Sequence, residues 1–404
     1  MRKKISVFDV RQGMFIQELC GSWMEHPFWK KSFLLESPED LKTLQNCDIQ
    51  EVWIDTNKGV DVAHDVVAVS ADEHQQQIVQ ELQRLATETP LVEERIPIHE
   101  EMERAKKLHA KSKEAVTSMF KEVRMGNAIK VADAAALVDE INQSITRNPE
   151  AFLNLSRLKT KDDYTYMHSV AVCALMIALG KQLGLNATDL KEVGVAGLLH
   201  DVGKMMIPDH VLNKAGKLTD QEFDIVKQHP VKGWELLRGS AEITPVSLDV
   251  CLHHHERVDG KGYPDRLSGE QLSLFARMGT LCDVYDALTS NRCYKSGWEP
   301  AEAIRKMAEW KDGHFDDRIF QAFVKTIGIY PSGSLVRLKS GRLAIVIEQT
   351  DKSLLAPIVK VFFSTKSNEP IMPEMIDLSR SQEVIANAED PTRWGFDLKQ
   401  LLGS

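Results

Sequence analysis

GLLHDVGK, residues 197–204, opens the stretch whose reading decides the fold of this chain. The stretch passes an isolated His229, crosses His253-His254-His255, and closes on LCDVYDALTSNRCYK at residues 281–295. Of the 13 histidines in the sequence, six lie between His200 and His255, in the company of Asp201 and Asp283. Neutral imidazole and carboxylate are the ligands that borderline divalent metals take from proteins. A carboxylate next to a histidine can also bridge two ions. The stretch reads as a two-metal hydrolytic site.

The local sequence supports that reading. VGVAGLLH (193–200) is an apolar helix, so His200 and Asp201 stand at the rim of a core rather than in bulk water. A carboxylate in such a place needs a partner, because burying it unpaired is costly, and a metal is the simplest one. Gly203 lets the chain turn tightly, and Lys204 follows it. One His-Asp pair occurs by chance in many proteins; here further histidines follow at other helix ends. His229 precedes Pro230 within a helix expected over 222–237, and alone it would read as a surface or satisfied core histidine. The triple is harder to explain blandly. Adjacent helical residues differ by about 100° in direction, so all three cannot share one face. Two could flank one ion if the helix ends there, and the spacing leaves open which two. Glu256, Asp259, Gly260, Gly262, Tyr263 and Pro264 then form a loop whose glycines allow close approach to a ligand.

Outward from this stretch, 404 residues allow two or three domains and a large buried core. A hydrophobic content of 43% with 27% charged residues is that of an ordinary globular protein. The net charge of −9 argues against sequence-independent binding of duplex nucleic acid, while leaving room for a small anion held by local cations. The longest apolar run, Val170–Leu179, is too short to cross a bilayer, so no transmembrane segment is expected. Arg2, Lys3 and Lys4 are followed by no apolar core, so no signal peptide is read. The cysteines form no C-x-x-C pair, which suits a reducing cytoplasm.

The expected fold class is mainly α: an all-helical metallohydrolase domain with a small mixed α/β N-terminal domain and a short β-rich C-terminal extension. Residues 1–70 alternate Val- and Ile-rich strands with turns, and Ser37-Pro38-Glu39-Asp40 starts a short helix. Trp23, Phe28, Trp29 and Phe33 read as core in preference to a stacking surface. Residues 71–127 read as an acidic helix and linker, then a helix with apolar positions 102, 105, 116, 119 and 123 on one stripe. That helix either pairs with a second subunit, giving a homodimer, or packs on its own domain. Residues 128–330 read as successive helices. Asp162 or Asp163 would cap the one running to Gln182, and Thr188 or Asp189 would open the next. Residues 331–404 contain three strands, two of them joined at Lys339-Ser340-Gly341.

HDVGK (200–204) and HHERVDGKGYP (254–264) resemble the two signatures of the HD-GYP family, a bacterial branch of the HD metal-dependent phosphohydrolases. The likeness continues through ARMGTLCDVYDALTSNRCYK (276–295) and covers roughly 128–330. The first 70 residues resemble an uncharacterised domain often found ahead of HD-GYP domains. The resemblance implies hydrolysis of the second messenger cyclic di-GMP. It implies metal ligands at His168, His200, Asp201, His229, His254, His255 and Asp283. Asp201 would bridge; His168, His200 and Asp283 would complete one ion's shell, and His229, His254 and His255 the other's. His253 is left out. Some relatives hold a third metal through a glutamate one helical turn before the first histidine. Here that position is Tyr164, a poor ligand because its phenol titrates near ~10; Asp163 lies off that face. Two ions are therefore expected, iron or manganese, with zinc, nickel or cobalt able to use the same ligands. About 3.5–4 Å apart, they would share a water and make hydroxide for in-line attack on phosphorus.

Asp201 and Lys204 are the expected catalytic residues, Lys204 stabilising charge on the nonbridging oxygens. Lys204, Tyr263, Arg292 and Lys295 are the substrate-binding candidates, and Asp286 orients a ligand or a water from behind. The expected product is pGpG, and whether hydrolysis continues to GMP is left open by the sequence. A rival reading is a weakly catalytic cyclic di-GMP sensor, or a protein that docks diguanylate cyclases through the GYP loop; such a protein would be expected to have lost ligands, and none is missing. Another is an HD phosphohydrolase acting on a nucleotide or guanosine tetraphosphate, against which the GYP loop argues.

Overall fold

The computed structural model describes residues 2–20, 32–47, 49–62, 68–70, 73, 76–77, 80, 96–157, 159, 164–214, 216, 218–240, 242–290, 297–350 and 353–396. Trp23, Phe28, Trp29, Asp162, Asp163, Arg292 and Lys295 lie outside the described residues. The chain forms two compact units, Met1–Arg84 and Leu85–Ser404.

In the first unit, short strands with alternating apolar residues pair into an antiparallel sheet. These are β1 (Arg2–Ser6), β2 (Phe15–Cys20), β3 (Phe33–Leu34), β4 (Glu51–Asp55) and β5 (Val69–Ser70), in the order β3-β2-β4-β1-β5. Register runs from Arg2 opposite Asp55 to Ser6 opposite Glu51. Helix α1 (Pro38–Gln45) starts where Ser37 accepts from the Glu39 and Asp40 amides, with Pro38 in its first turn. Its Leu44 joins Ile5, Ile16, Val52 and Ile54 in the core, and Phe33 packs against them.

The second unit is a helical body with a β appendage, so the chain is mainly α as expected. Helix α2 (Ile98–Arg124) buries Ala105, Leu108, Val116, Phe120 and Val123 in the same core as α3 (Val131–Arg147) and α4 (Pro149–Arg157). Thus its apolar stripe is covered by its own unit. Pro149 opens α4, since a proline at the first position forfeits an amide that has no helical partner anyway.

Helix α5 (Tyr164–Gln182) is the central rod, buried continuously from Met167 to Gly180. Apolar on every side, it needs neighbours all round. Helix α6 (Ala187–Leu199) packs along it and starts at Asn186, whose side chain accepts from the Asp189 amide, so the cap precedes the expected Thr188 or Asp189. After His200 and Asp201 comes a 3-10 turn (Val202–Met206), then α7 (Asp209–Leu212).

The single helix expected over 222–237 is two: α8 (Asp220–Val226) and α9 (His229–Leu237). Pro230 has no amide to continue a helix and disfavours helical backbone before it, so His229 opens a helix rather than sitting mid-way along one. Helices α10 (Pro245–His253), α11 (Leu274–Thr289), α12 (Pro300–His314) and α13 (Asp317–Ile327) complete the described body.

The C-terminal strands are β6 (Leu335–Leu338), β7 (Arg342–Thr350), β8 (Ser353–Ser364), β9 (Glu369–Asp377) and β10 (Ile385–Ala388), an antiparallel sheet in the order β10-β6-β7-β8-β9. Three of them were expected. The fourth, EPIMPEMID, carries two prolines that disguise it, and it lies at an edge where a missing amide is tolerated. Asn148 and Asn154 tie the sheet to the helices through Glu348 at 3.0 Å and Ser332 at 2.8 Å.

Candidate metal centre

Five helix ends and the middle of a sixth helix deliver the histidines and acids to one place. His168 sits in the first turns of α5, His200 caps the end of α6, and Asp201 starts the 3-10 turn. His229 opens α9, while His254 caps the end of α10 with His255 next in line. Asp283 projects from α11. Glycine makes one of these approaches possible: a Cβ on Gly203 would lie 2.0 Å from the His229 carbonyl oxygen and 2.5 Å from the Gly233 amide nitrogen. Gly203 is therefore required less for a turn than for pressing the Asp201 segment against the start of α9.

Among the described residues, two groups of side chains could each hold a cation. One is His168, His200 and Asp283; the other is Asp201, His229, His254 and His255. Asp201 faces both. Its Oδ2 is 3.4 Å from Nε2 of His168 and 3.4 Å from Nε2 of His200. Its Oδ1 is 3.2 Å from Nε2 of His229 and 3.6 Å from Nε2 of His254. Asp283 Oδ1 is 2.8 Å from His168 Nε2, and its Oδ2 is 3.6 Å from His255 Nδ1. Lys204 pairs with Asp201 Oδ2.

The outer ring nitrogens set the tautomers. Nδ1 of His200 donates to the Gly197 carbonyl at 2.8 Å, and Nδ1 of His229 donates to Val226 at 2.8 Å. His254 Nδ1 shares its proton between the carbonyls of Cys251 at 3.0 Å and Val250 at 3.1 Å. His168 Nδ1 donates to Asp286 Oδ2 at 2.6 Å. The rings of His200, His229 and His254 thereby turn an Nε2 lone pair inward, as metal-bound histidines do, while Nε2 of His168 faces Asp283 Oδ1.

A cation fits what the ring leaves unsatisfied. His200 Nε2 and Asp201 Oδ1 are buried without a hydrogen-bond partner. The Nε2 atoms of His229 and His254 face one another at 3.2 Å, an arrangement of lone pairs that only a proton or a cation relieves. Burial alone would raise Asp201, but Lys204 and His200 hold its carboxyl well below the usual range. Asp283 is likewise pushed up by burial and held well below by His168, His255 and His200. Burial drives His229 down to about 4 and His255 well below the ordinary imidazole value. His168 differs: burial pulls it down, yet hydrogen bonds to Asp283 and Asp286 carry it above that value.

His253 turns away to Asp249 at 2.7 Å and Asp265 at 3.2 Å. Tyr263 stacks on His255 with ring centroids 4.8 Å apart, and burial, then Asp283 and Asp201, push its phenol well above 10, so it keeps its proton. Tyr164 stacks on His168 at 5.7 Å. At Gly262 the close approach is to the chain itself. Its Cβ would fall 2.4 Å from the Glu256 Cα, so the loop folds back on its own backbone. Glu256 Oε1 clamps that fold by accepting from the amides of Asp265 at 2.7 Å and Arg266 at 2.8 Å. Lys159, which also reaches Asp286, was not found from sequence. No spacing signals it, since it stands in the connection between α4 and α5.

Comparison with known proteins agrees with this architecture. Residues 141–319 match the HD domain model, and residues 2–134 match a domain of unknown function, DUF3391. A cyclic di-GMP phosphodiesterase of Pseudomonas aeruginosa is 53% identical over 399 residues, covering 98% of this chain and 94% of that protein. The cyclic di-GMP phosphodiesterase response regulator RpfG of Xanthomonas campestris pv. campestris is 38% identical over 47% of this chain and 50% of its own length. A Vibrio cholerae cyclic di-GMP phosphodiesterase is 35% identical over 45% of this chain and 40% of its own. Fold and site together define a metal-dependent phosphohydrolase of the HD class, whose His/Asp cluster binds divalent metal. Within that class, the chain belongs to the HD-GYP family, in the branch with an N-terminal DUF3391 domain. No helix among the described residues is long and apolar enough to cross a membrane.

Proposed function

We propose that this enzyme is a cyclic di-GMP phosphodiesterase that opens the cyclic dinucleotide to pGpG. The observation that carries the reading is Asp201, whose two oxygens are divided between two sets of inward-facing imidazoles. The identity to the Pseudomonas protein supports the choice of substrate. His168, His200 and Asp283 would hold one ion and His229, His254 and His255 a second, with Asp201 placed to serve both. Iron or manganese suits this donor set. Bound there, the ions supply Lewis acidity and activate water near neutral pH.

The chain's own groups do the rest. Lys204 lies beside Asp201 with its side chain still 19% exposed, so its ammonium can turn to a nonbridging phosphate oxygen. The Tyr263 phenol, protonated throughout the working pH range, can donate to the ligand from above His255. Arg292 and Lys295 would hold the second phosphate. Asp286 fixes the His168 ring from behind.

Turnover of cyclic di-GMP by manganese- or iron-loaded protein, compared with Asp201→Ala, tests this. Hydrolysis by the parent and background activity in the variant is expected. Equal rates would overturn the metal mechanism, and a parent that binds the dinucleotide without cleaving it would favour the sensor.

A further inference from the structure

Lys159 is a lysine in the wrong place for a surface cation. It lies between α4 and α5 with its side chain fully buried, and its ammonium pairs with Asp286 Oδ1. The same nitrogen donates to Ser290 Oγ at 2.7 Å. Ser290 Oγ stands 3.3 Å from Asp286 Oδ2, and that oxygen also takes the Nδ1 proton of His168 at 2.6 Å. His168 Nε2 in turn meets Asp283 at 2.8 Å. An unbroken buried chain thus runs from Lys159 through Asp286 to the ring that faces both acids.

We propose that Lys159 is a positioning residue for the metal cluster of His168, His200 and Asp283, acting through Asp286 to fix the orientation of the His168 ring. The physical reason is the geometry of the carboxylate. With one oxygen held by the ammonium and the other by imidazole and hydroxyl, Asp286 cannot rotate, so neither can the ring it holds. Without Lys159, one oxygen of a wholly buried carboxylate loses its strongest donor, and the group reorients to recover one. Lys159 acts on the ring through the carboxylate it holds, its ammonium lying on Asp286 and Ser290. Its effect belongs to one of the two clusters, because His229 and His254 are oriented by backbone carbonyls instead. The inference rests on the metal reading of the site.

Ion binding separates the two. Metal-free protein is titrated with Mn²⁺ by calorimetry, and the bound metal is counted by elemental analysis, for the parent, Lys159→Met, Lys159→Arg and Ser290→Ala. The parent should take up two ions. Lys159→Met should keep one at parental affinity and bind the other about 10–100-fold more weakly. Lys159→Arg should restore most of that loss, since it keeps a cationic donor. Ser290→Ala removes only the hydroxyl and should show a smaller, few-fold weakening of the same ion; it decides the matter if Lys159→Met does not fold. With both sites loaded at high metal, Lys159→Met should show lower kcat at nearly unchanged KM. Two ions bound at parental affinity in a folded Lys159→Met, or no weakening in Ser290→Ala should Lys159→Met not fold, would overturn the inference. A parent that binds no ion would instead refute the metal reading itself.

Discussion

Glu299 shows how far one residue can depart from its ordinary chemistry without belonging to the site. It stands just before α12, and its Oε2 is buried without a hydrogen-bond partner. Burial raises its pKa from 4.5 to about 7, with Arg157 opposing and Asp390 adding to the shift. The unfolded chain loses this proton near 4.5, while the folded chain keeps it until about 7. Folding stability is therefore highest, for this group, below the lower value and declines as pH rises through the upper one. Glu299→Gln should abolish that decline. Urea unfolding at pH 5 and pH 8 checks it: the parent should lose more stability than the variant across the interval, and identical losses would refute the assignment. Nothing in the sequence announces Glu299, because its shift depends on what α4 and the C-terminal segment place around it. The candidate ligands differ in this respect. Histidines crowded into one stretch beside acids are conspicuous whatever the fold.

At the scale of elements, the residue types that cap and break helices are visible in the sequence, though their exact positions and the contacts between helices are not. Ser37, Thr244 and Ser273 all accept from amides in the first turns of the helices they start. Pro230 is the sequence signal that α8 and α9 are separate. The anchoring of α2 has no sequence signal at all. Its Glu101 is fully buried and accepts from Arg147 of α3 through Nε at 2.6 Å and Nη2 at 2.8 Å, with Ser144 Oγ at 2.8 Å. Arg147→Met would leave that carboxylate with the serine as its nearest donor. Breaking a buried pair from one side costs ~3–5 kcal/mol, and the partial exposure of Arg147 brings the expected loss below that range, to about 2–3 kcal/mol. Chemical denaturation measures it, and a change below about 0.5 kcal/mol would show that water replaces the arginine without cost.

For the whole molecule, the decisive feature is that α2 belongs to the same core as the site helices. Phe120 and Val123 share a hydrophobic cluster with Val170, Leu198, Leu199 and Cys251, on the helices that carry His168, His200 and His254. A fragment beginning at residue 128 would expose that face of the core, whereas one beginning at residue 96 would retain it. The shorter fragment should be aggregation-prone or bind metal weakly, and the longer should bind the same number of ions as the full chain. Size-exclusion chromatography with metal analysis distinguishes them. A well-folded, metal-replete 128–404 fragment would show that α2 is dispensable.

By itself the sequence determined the class of fold, the helical body between two β-rich ends, and the residue types gathered at the site. Those properties follow from periodicity, turn chemistry and ligand chemistry, which act over a few residues. Only the tertiary structure decided which atoms of Asp201 face which imidazoles, that His253 turns aside, and that Lys159 reaches Asp286 from 127 positions away. Such pairings are set by how helices pack, and packing brings together residues whose separation along the chain carries no information about their contact.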